Sequence, residues 1–167
     1  EALMAAGEPF AIAPYGIEAL GTLRIEKGHV TAAEIDGRTT ARDLHLDWML
    51  SSKKPFVGSA MMDREGLTDK SRWTLVGVVS RSGEKLHGGS HVVAGDRDEP
   101  GPGLGHLTAM AFSPEINAYV GLALVEDGGN RIGQHLYATD PVRSGTHIPI
   151  EIVSHHMVDP KGERMHG

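Results

Sequence analysis

Apolar residues recur along the chain with two different periods, and the change between them falls near residue 70. Before it, Ile17, Leu20 and Leu23 recur at three-residue steps. This spacing predicts a helix over 17–27 that Gly28 closes. Ala2, Leu3 and Ala6 share the spacing and Gly7 reads as a stop, so residues 2–6 read as the tail of a helix. The chain opens on that tail without an initiator Met, and the expectation is a chain cut from something longer. Residues 10–13 read as a short apolar strand. Thr39 or Thr40 reads as a helix N-cap, with Asp43 in the first turn of a short helix toward Leu46. Residues 56–66 read as another short helix, closed by Gly66.

After residue 70 the pattern turns to β-branched runs and alternation. "RWTLVGVVSR", "SHVVAG", "GHLTAMAFS", "AYVGLALVE", "QHLYATD" and "HIPIEIVS" read as strands separated by glycine, proline and Asn-Asp signals. Six short strands at this spacing predict a sandwich or a small closed barrel. "DGGN" at 127–130 reads as a turn, and "PGPGLG" at 100–105 as a mobile hairpin tip. There is no internal repeat and no heptad pattern.

Composition narrows the classes of function. A chain of 167 residues with 40% hydrophobic and 23% charged content can bury a real core, as one domain or two small pieces. The formal net charge is -6 and no basic run exceeds Lys53-Lys54, which disfavours nucleic acid and anionic membrane as partners. Without cysteine there is no disulfide, thiolate nucleophile or cysteine-based zinc site, and a reducing, cytoplasmic setting is expected. No apolar stretch approaches the roughly 20 residues of a membrane span, and no signal peptide is visible.

The densest chemistry lies in "LRIEKGHV", where Arg24, Glu26, Lys27 and His29 crowd the predicted helix end. One reading is a solvated charged face with Arg24 paired to Glu18 or Glu26. The other is an arm of a site for an acidic small molecule, met by the planar donor fork of Arg24. Ten histidines are present. His155 and His156, if on a strand, point to opposite faces, and no HExxH occurs, so no metal site is expected. "GPGLGH" at 101–106 has no strand leading into it and no helix after it, and Pro102 removes a backbone donor, so it reads as a hairpin rather than a phosphate loop. Trp48 in "LDWML" is a stacking surface for a flat ring or a core or hinge packing residue. No GxSxG elbow appears, and no catalytic residue is assigned.

"APYGIEALGTLRIEKGHV", "EIDGRTTARDLHLDWMLSSKKPFVG", "LVGV", "LTAMAFSPEINAYVGLALV" and "MVDPKGER", in this order, resemble the C-terminal region of the folate-dependent aminomethyltransferase family. That family includes the glycine cleavage T-protein, dimethylglycine dehydrogenase and the alpha subunit of heterotetrameric sarcosine oxidase. "PYGIEALGTLRIEKGHV", "ATDPVRSG" and "DPKGERMHG" are most similar to the last of these. The resemblance implies an α+β chain. Residues 1–66 would be the C-terminal, incomplete part of the aminomethyltransferase-type folate-binding domain. Residues 72–167 would be an antiparallel β-barrel of about six strands. It implies tetrahydrofolate as cofactor, with Arg24 and Trp48 at the folate site. Glu26, Gly28, Thr40 and Asp43 would be motif residues with structural roles, Gly28 permitting a left-handed turn. Ala41 stands where the family usually has proline, Ser59 where members have arginine, and His156 and Met157 where an apolar or aromatic pair is found.

For the whole enzyme the resemblance implies oxidative demethylation of sarcosine. The one-carbon unit then passes to tetrahydrofolate, giving methylenetetrahydrofolate, glycine and hydrogen peroxide. NAD and flavin are expected only in regions outside this chain or in sister subunits, and the partners are the other oxidase subunits. The family's acidic residue that assists the folate nitrogen lies upstream, so the chain alone is expected to be inactive. Two alternatives stay open. One is a fragment of a T-protein or dimethylglycine dehydrogenase-like aminomethyltransferase. The other is a non-catalytic barrel that serves as an assembly surface.

Overall fold

The computed structural model describes residues 1–165. Its centre is a closed antiparallel barrel of β1 (Trp73–Ser80), β2 (His91–Val93), β3 (Gly103–Ser113), β4 (Ala118–Glu126), β5 (His135–Thr139) and β6 (His147–Val153), in the order β1-β4-β3-β2-β5-β6. All six strands predicted after residue 70 form. β6 alternates strictly, because one face fills the barrel and the other meets solvent. β1 and β4 instead read as nearly continuous apolar runs because both of their faces are covered. Val76, Val78, Ala123 and Val125 point into the barrel core. Leu75, Val79, Val120, Leu122 and Leu124 form a second core with Ile25 and Leu44.

That second core seats the helical layer. α1 spans Ala2–Gly7 and α2 spans Ile17–Lys27, and α2 packs on β3 and β4. α2 ends at Gly28, in the left-handed region at φ 75°, whose N–H caps the Arg24 and Ile25 carbonyls. The segment after β6 completes the cap. Met157 and Val158 donate backbone N–H bonds to the Glu26 carbonyl, at 3.0 and 2.9 Å, and an imidazole nitrogen of His156 lies 2.9 Å from the Lys27 carbonyl. A Cβ at Gly28 would run into the His155 carbonyl. Gly28→Ala therefore combines left-handed strain with a backbone clash, and is expected to lower stability by about 2 kcal/mol or more in urea unfolding.

Several local expectations give way to the chain's context. Residues 10–13 form no strand: a 3₁₀ turn, Glu8–Phe10, leads to Ala11 at φ 53°, and among the described residues no strand pairs with them. Residues 56–66 give a 3₁₀ turn, Ser59–Met61, and the single-turn helix α3, Glu65–Thr68: Gly58, left-handed at φ 90°, keeps a helix from starting at 56, and Arg64, extended at ψ 139°, separates the two. The segment from Thr40 to Leu46 is a run of turns rather than a helix, ended by His45 at φ 57°. Its predicted cap is nevertheless made. Asp43 N–H donates to Thr40 Oγ1 at 3.3 Å, and Thr40 N–H donates to Asp43 Oδ2 at 2.8 Å. The glycine-rich hairpin tip is shorter than expected, since Gly103 to Gly105 already belong to β3. At 127–130 the chain turns through Asp127 at φ 50° into a 3₁₀ turn, Gly128–Arg131.

His155 and His156 lie beyond the end of β6 rather than on a strand, so their rings are not held on opposite faces. Their centroids are 3.9 Å apart, and His155 also stacks on His45 at 4.9 Å and 5°. Burial, and then the neighbouring imidazoles of His156 and His45, push the His155 pKa down to about 4. The unfolded chain takes up this proton near 6.5 and the folded chain only near 4, so stability rises with pH across that window. Wild-type protein is expected to lose about 2 kcal/mol more than His155→Gln between pH 7 and pH 4, after allowance for solvent screening. Urea midpoints at the two pH values check this. His166 lies outside the described residues. No helix among the described residues is long and apolar enough to cross a membrane.

Candidate functional site

Arg24 lies on the last full turn of α2, with its side chain 20% exposed. Neither Glu18 nor Glu26 is its partner. Nη1 donates to the His29 carbonyl at 3.0 Å and approaches Oε2 of Glu34 at 3.4 Å. Nε and Nη2 have no hydrogen-bond partner among the described residues. Leu23 is exposed and Arg24 only partly so, whereas Ile25 and Glu26 turn inward and are buried. The crowding of charge in "LRIEKGHV" thus sorts into one buried acid, one exposed histidine, one lysine tied to Asp159 and one anchored arginine with an open edge.

Glu26 is 6% exposed and accepts the Ser113 hydroxyl at 2.5 Å, tying α2 to the end of β3. Lys27 Nζ bonds to the backbone carbonyl of Asp159 and lies 3.5 Å from its Oδ2. Burial pushes the Asp159 carboxyl up, but the Glu163 N–H and the Lys27 charge outweigh it and hold the pKa below its ordinary value. Arg164 pairs with Glu115 at 2.5 Å.

Two cavities meet at Arg24. The first, of about 440 Å³, has Leu20, Leu23 and Val158 as apolar walls, with Arg24, Lys27 and Arg164 among its charged lining. The second, of about 630 Å³, runs between α2 and the barrel and is lined by Thr22, Arg24, Lys85, Met110, Phe112 and Tyr119, among others. Phe112 and Tyr119 meet edge to face at 5.3 Å, giving an aromatic wall. An apolar trough with cations at its rim suits an elongated, flat molecule with an acidic end.

Trp48 sits elsewhere. It is 77% exposed on a 3₁₀ turn, Asp47–Met49, and neither cavity lined by Arg24 includes it. Thr40 and Asp43 belong to a different joint. Asp43 is 3% exposed and accepts Arg72 Nε at 3.0 Å and Nη2 at 2.5 Å, and its carbonyl accepts the Leu75 N–H of β1 at 2.8 Å. Burial pushes the Asp43 carboxyl up, and the Arg72 fork with the Thr40 N–H outweighs that, leaving it below the usual carboxylate range. Among the described residues no group of three or more His, Asp or Glu is arranged to hold a metal ion.

The residue that sequence reasoning missed is Glu34, which is fully buried. Its Oε2 accepts the Thr31 N–H at 2.7 Å and the Thr31 hydroxyl at 3.2 Å, and its Oε1 accepts the Thr108 hydroxyl at 2.6 Å. The signal available in the sequence is an acid set among Ala32, Ala33 and Ile35, a weak mark of burial.

Comparison with known proteins gives this geometry a family. Residues 1–54 match the family model described as the GCVT N-terminal domain, and residues 74–159 match the glycine cleavage T-protein C-terminal barrel domain. The sarcosine oxidase subunit alpha of Rhizobium meliloti (strain 1021) is 41% identical over 99% of this chain and 17% of its own length. The subunit of the same name from Corynebacterium sp. (strain U-96) is 35% identical over 100% of this chain and 18% of its own. An aminomethyltransferase of Bacteroides thetaiotaomicron is 30% identical over 81% of this chain and 37% of its own. The chain thus spans 17% and 18% of the two oxidase subunits. The crystal structure of glycine cleavage system aminomethyltransferase T from Bartonella henselae superposes with a TM-score of 0.71 at 21% identity, covering 85% of this chain and 38% of that one, so the two share a fold. A barrel with this strand order, an α2 layer upon it and matched family models over both parts mean that the chain belongs to the glycine cleavage T-protein family.

Proposed function

We infer that this chain forms one wall of a reduced-folate site in an enzyme of the sarcosine oxidase alpha-subunit type. The observation that carries the reading is Arg24. Its guanidinium is anchored through Nη1 and, among the described residues, leaves Nε and Nη2 without partners beside an apolar cavity. Tetrahydrofolate has a flat ring system and an acidic tail, which fits the donor set. Arg24 supplies a charge-assisted bond to the acidic group or the pterin edge, and Leu20, Leu23 and Val158 give apolar surface. The exposed indole of Trp48 is the candidate for stacking on a flat ring from outside these cavities.

When bound, tetrahydrofolate supplies the acceptor for a one-carbon unit. This chain's share is to hold that acceptor and to keep water from the transfer. Glu26 and Gly28 fix the end of α2, and Asp43 with Thr40 fixes the loop below it. The folate-binding part would end by residue 66 and the barrel part begin at 72. Its partners would be the other oxidase subunits, and its setting the cytoplasm.

The test is titration calorimetry of folinic acid into the chain and into Arg24→Ala. A charge-assisted bond contributes roughly 1.5–3 kcal/mol, so the variant is expected to bind at least about tenfold more weakly. Equal affinity in the two proteins, or no binding to folded wild type, would overturn the reading. A second reading has an observation of its own. Ile17, Leu20 and Leu23 are 87%, 52% and 53% exposed along one side of α2, which favours an assembly surface. Sedimentation showing self-association that Leu20→Lys abolishes would support it.

A further inference from the structure

The arginine at the rim is held by a device that begins inside the barrel. β3 pairs with β4 in register at Leu107↔Ala123 and resumes at Ala109↔Leu122, so Thr108 is the extra residue of a β-bulge. A bulge breaks the alternation of faces and re-aims the side chain at that point. Here the Thr108 hydroxyl reaches out of the strand to donate to Oε1 of Glu34, 74 residues away in sequence, at 2.6 Å. Glu34 is 0% exposed, and an isolated carboxylate there would be strongly disfavoured. Four donors surround it: the Thr108 hydroxyl, the Thr31 hydroxyl, the Thr31 N–H and Arg24 Nη1.

The three fixed donors leave the carboxylate little freedom to turn. Its Oε2 faces Nη1 of Arg24, whose other acceptor is the His29 carbonyl just past the end of α2. Two acceptors on one nitrogen define the plane of the guanidinium and turn Nε and Nη2 away from them. We propose that Glu34 is a positioning residue, locked by the Thr108 bulge, that presents the open edge of Arg24 to an anionic group of the ligand. The proposal rests on the reduced-folate reading for the identity of that ligand, but the orientation of Arg24 stands apart from it.

The role separates from simple packing. Glu34→Gln keeps the shape but only one acceptor oxygen: that oxygen can still accept from Thr31 while the amide NH2 donates to the Thr108 hydroxyl, and the charge that faces Arg24 is removed. Thr108→Ser keeps the hydroxyl, whereas Thr108→Val removes it at similar volume. The first readout needs no ligand: the Arg24 Nε–H resonance in a nitrogen-15 spectrum, assigned by its loss in Arg24→Lys. It is expected to be sharp in wild type and Thr108→Ser, and broadened in Glu34→Gln and Thr108→Val, with the backbone amide pattern otherwise retained. The second readout is folinic acid affinity, expected to fall about fivefold or more in Glu34→Gln, with no further loss when Glu34→Gln is added to Arg24→Ala.

An unchanged Arg24 resonance in Glu34→Gln overturns the proposal. So does an affinity loss that adds in full to that of Arg24→Ala. If folinic acid fails to bind wild type while the resonance responds as described, the folate reading falls and the positioning role stands. Should Glu34→Gln not fold, the Thr108→Ser and Thr108→Val pair carries the same comparison.

Discussion

Asp43→Ala is expected to destabilise the chain by about 3–5 kcal/mol, the range for breaking a buried ion pair from one side. Asp43 is 3% exposed, and removing its carboxylate strands the Arg72 guanidinium, whose side chain is only 22% exposed. Arg72 also donates to the Arg38 carbonyl at 2.7 Å and the Gly66 carbonyl at 3.4 Å. The pair therefore clasps the 38–43 loop and the first turn of α3 against the start of β1. Asp43→Asn keeps an acceptor for the Thr40 N–H and is expected to cost about half as much, because the Arg72 fork loses its charge partner. Urea unfolding of the three proteins near neutral pH reads both values. The sign with pH follows from the lowered pKa. The contribution is complete above the ordinary carboxylate range and is lost as pH falls below it, a more acid window than that of His155.

Leu122→Ala is expected to cost about 2–5 kcal/mol, as a fully buried leucine leaves both its transfer energy and a cavity behind. Leu122 is 0% exposed on β4, in the core shared with Ile25 of α2 and Leu44. The cavity would open beneath the helix that carries Arg24. A matched change inside the barrel, Ile150→Ala, is expected to cost a similar amount without touching that layer. Comparing folinic acid binding in the two variants under conditions where both are folded separates the layers. Leu122→Ala should weaken it, and Ile150→Ala should leave it nearly unchanged.

The strands were legible because each is a short run of branched residues bounded by turn signals. Trp73–Ser80 and Ala118–Glu126 stand out even though both of their faces are covered. A small barrel was among the readings, but the order of its strands, β1-β4-β3-β2-β5-β6, was not legible, since pairing between distant strands leaves no mark on either one. Helix α2 was clear from its spacing and its glycine stop. The short segments failed where one tertiary contact or one left-handed residue outweighed local preference, as at Ala11 and Gly58. At the candidate site, Arg24 could be singled out by its crowded surroundings, and its proposed folate role only through the family resemblance. Glu34 could not, because its meaning depends on Thr108, and the bulge that turns Thr108 toward it exists only once β3 has met β4. Glu26 and Asp43 hold the fold through partners 87 and 29 residues away, Ser113 and Arg72.

The measurement that bears most directly on the central claim is a nitrogen-15 NMR titration of the chain with folinic acid. The account predicts saturable shifts at Leu20, Leu23, Arg24 Nε–H, His29 and Val158 around the cavity at the end of α2, absent from Arg24→Ala. Shifts that gather elsewhere on the barrel, with the Arg24 resonance unmoved at saturation, would contradict it.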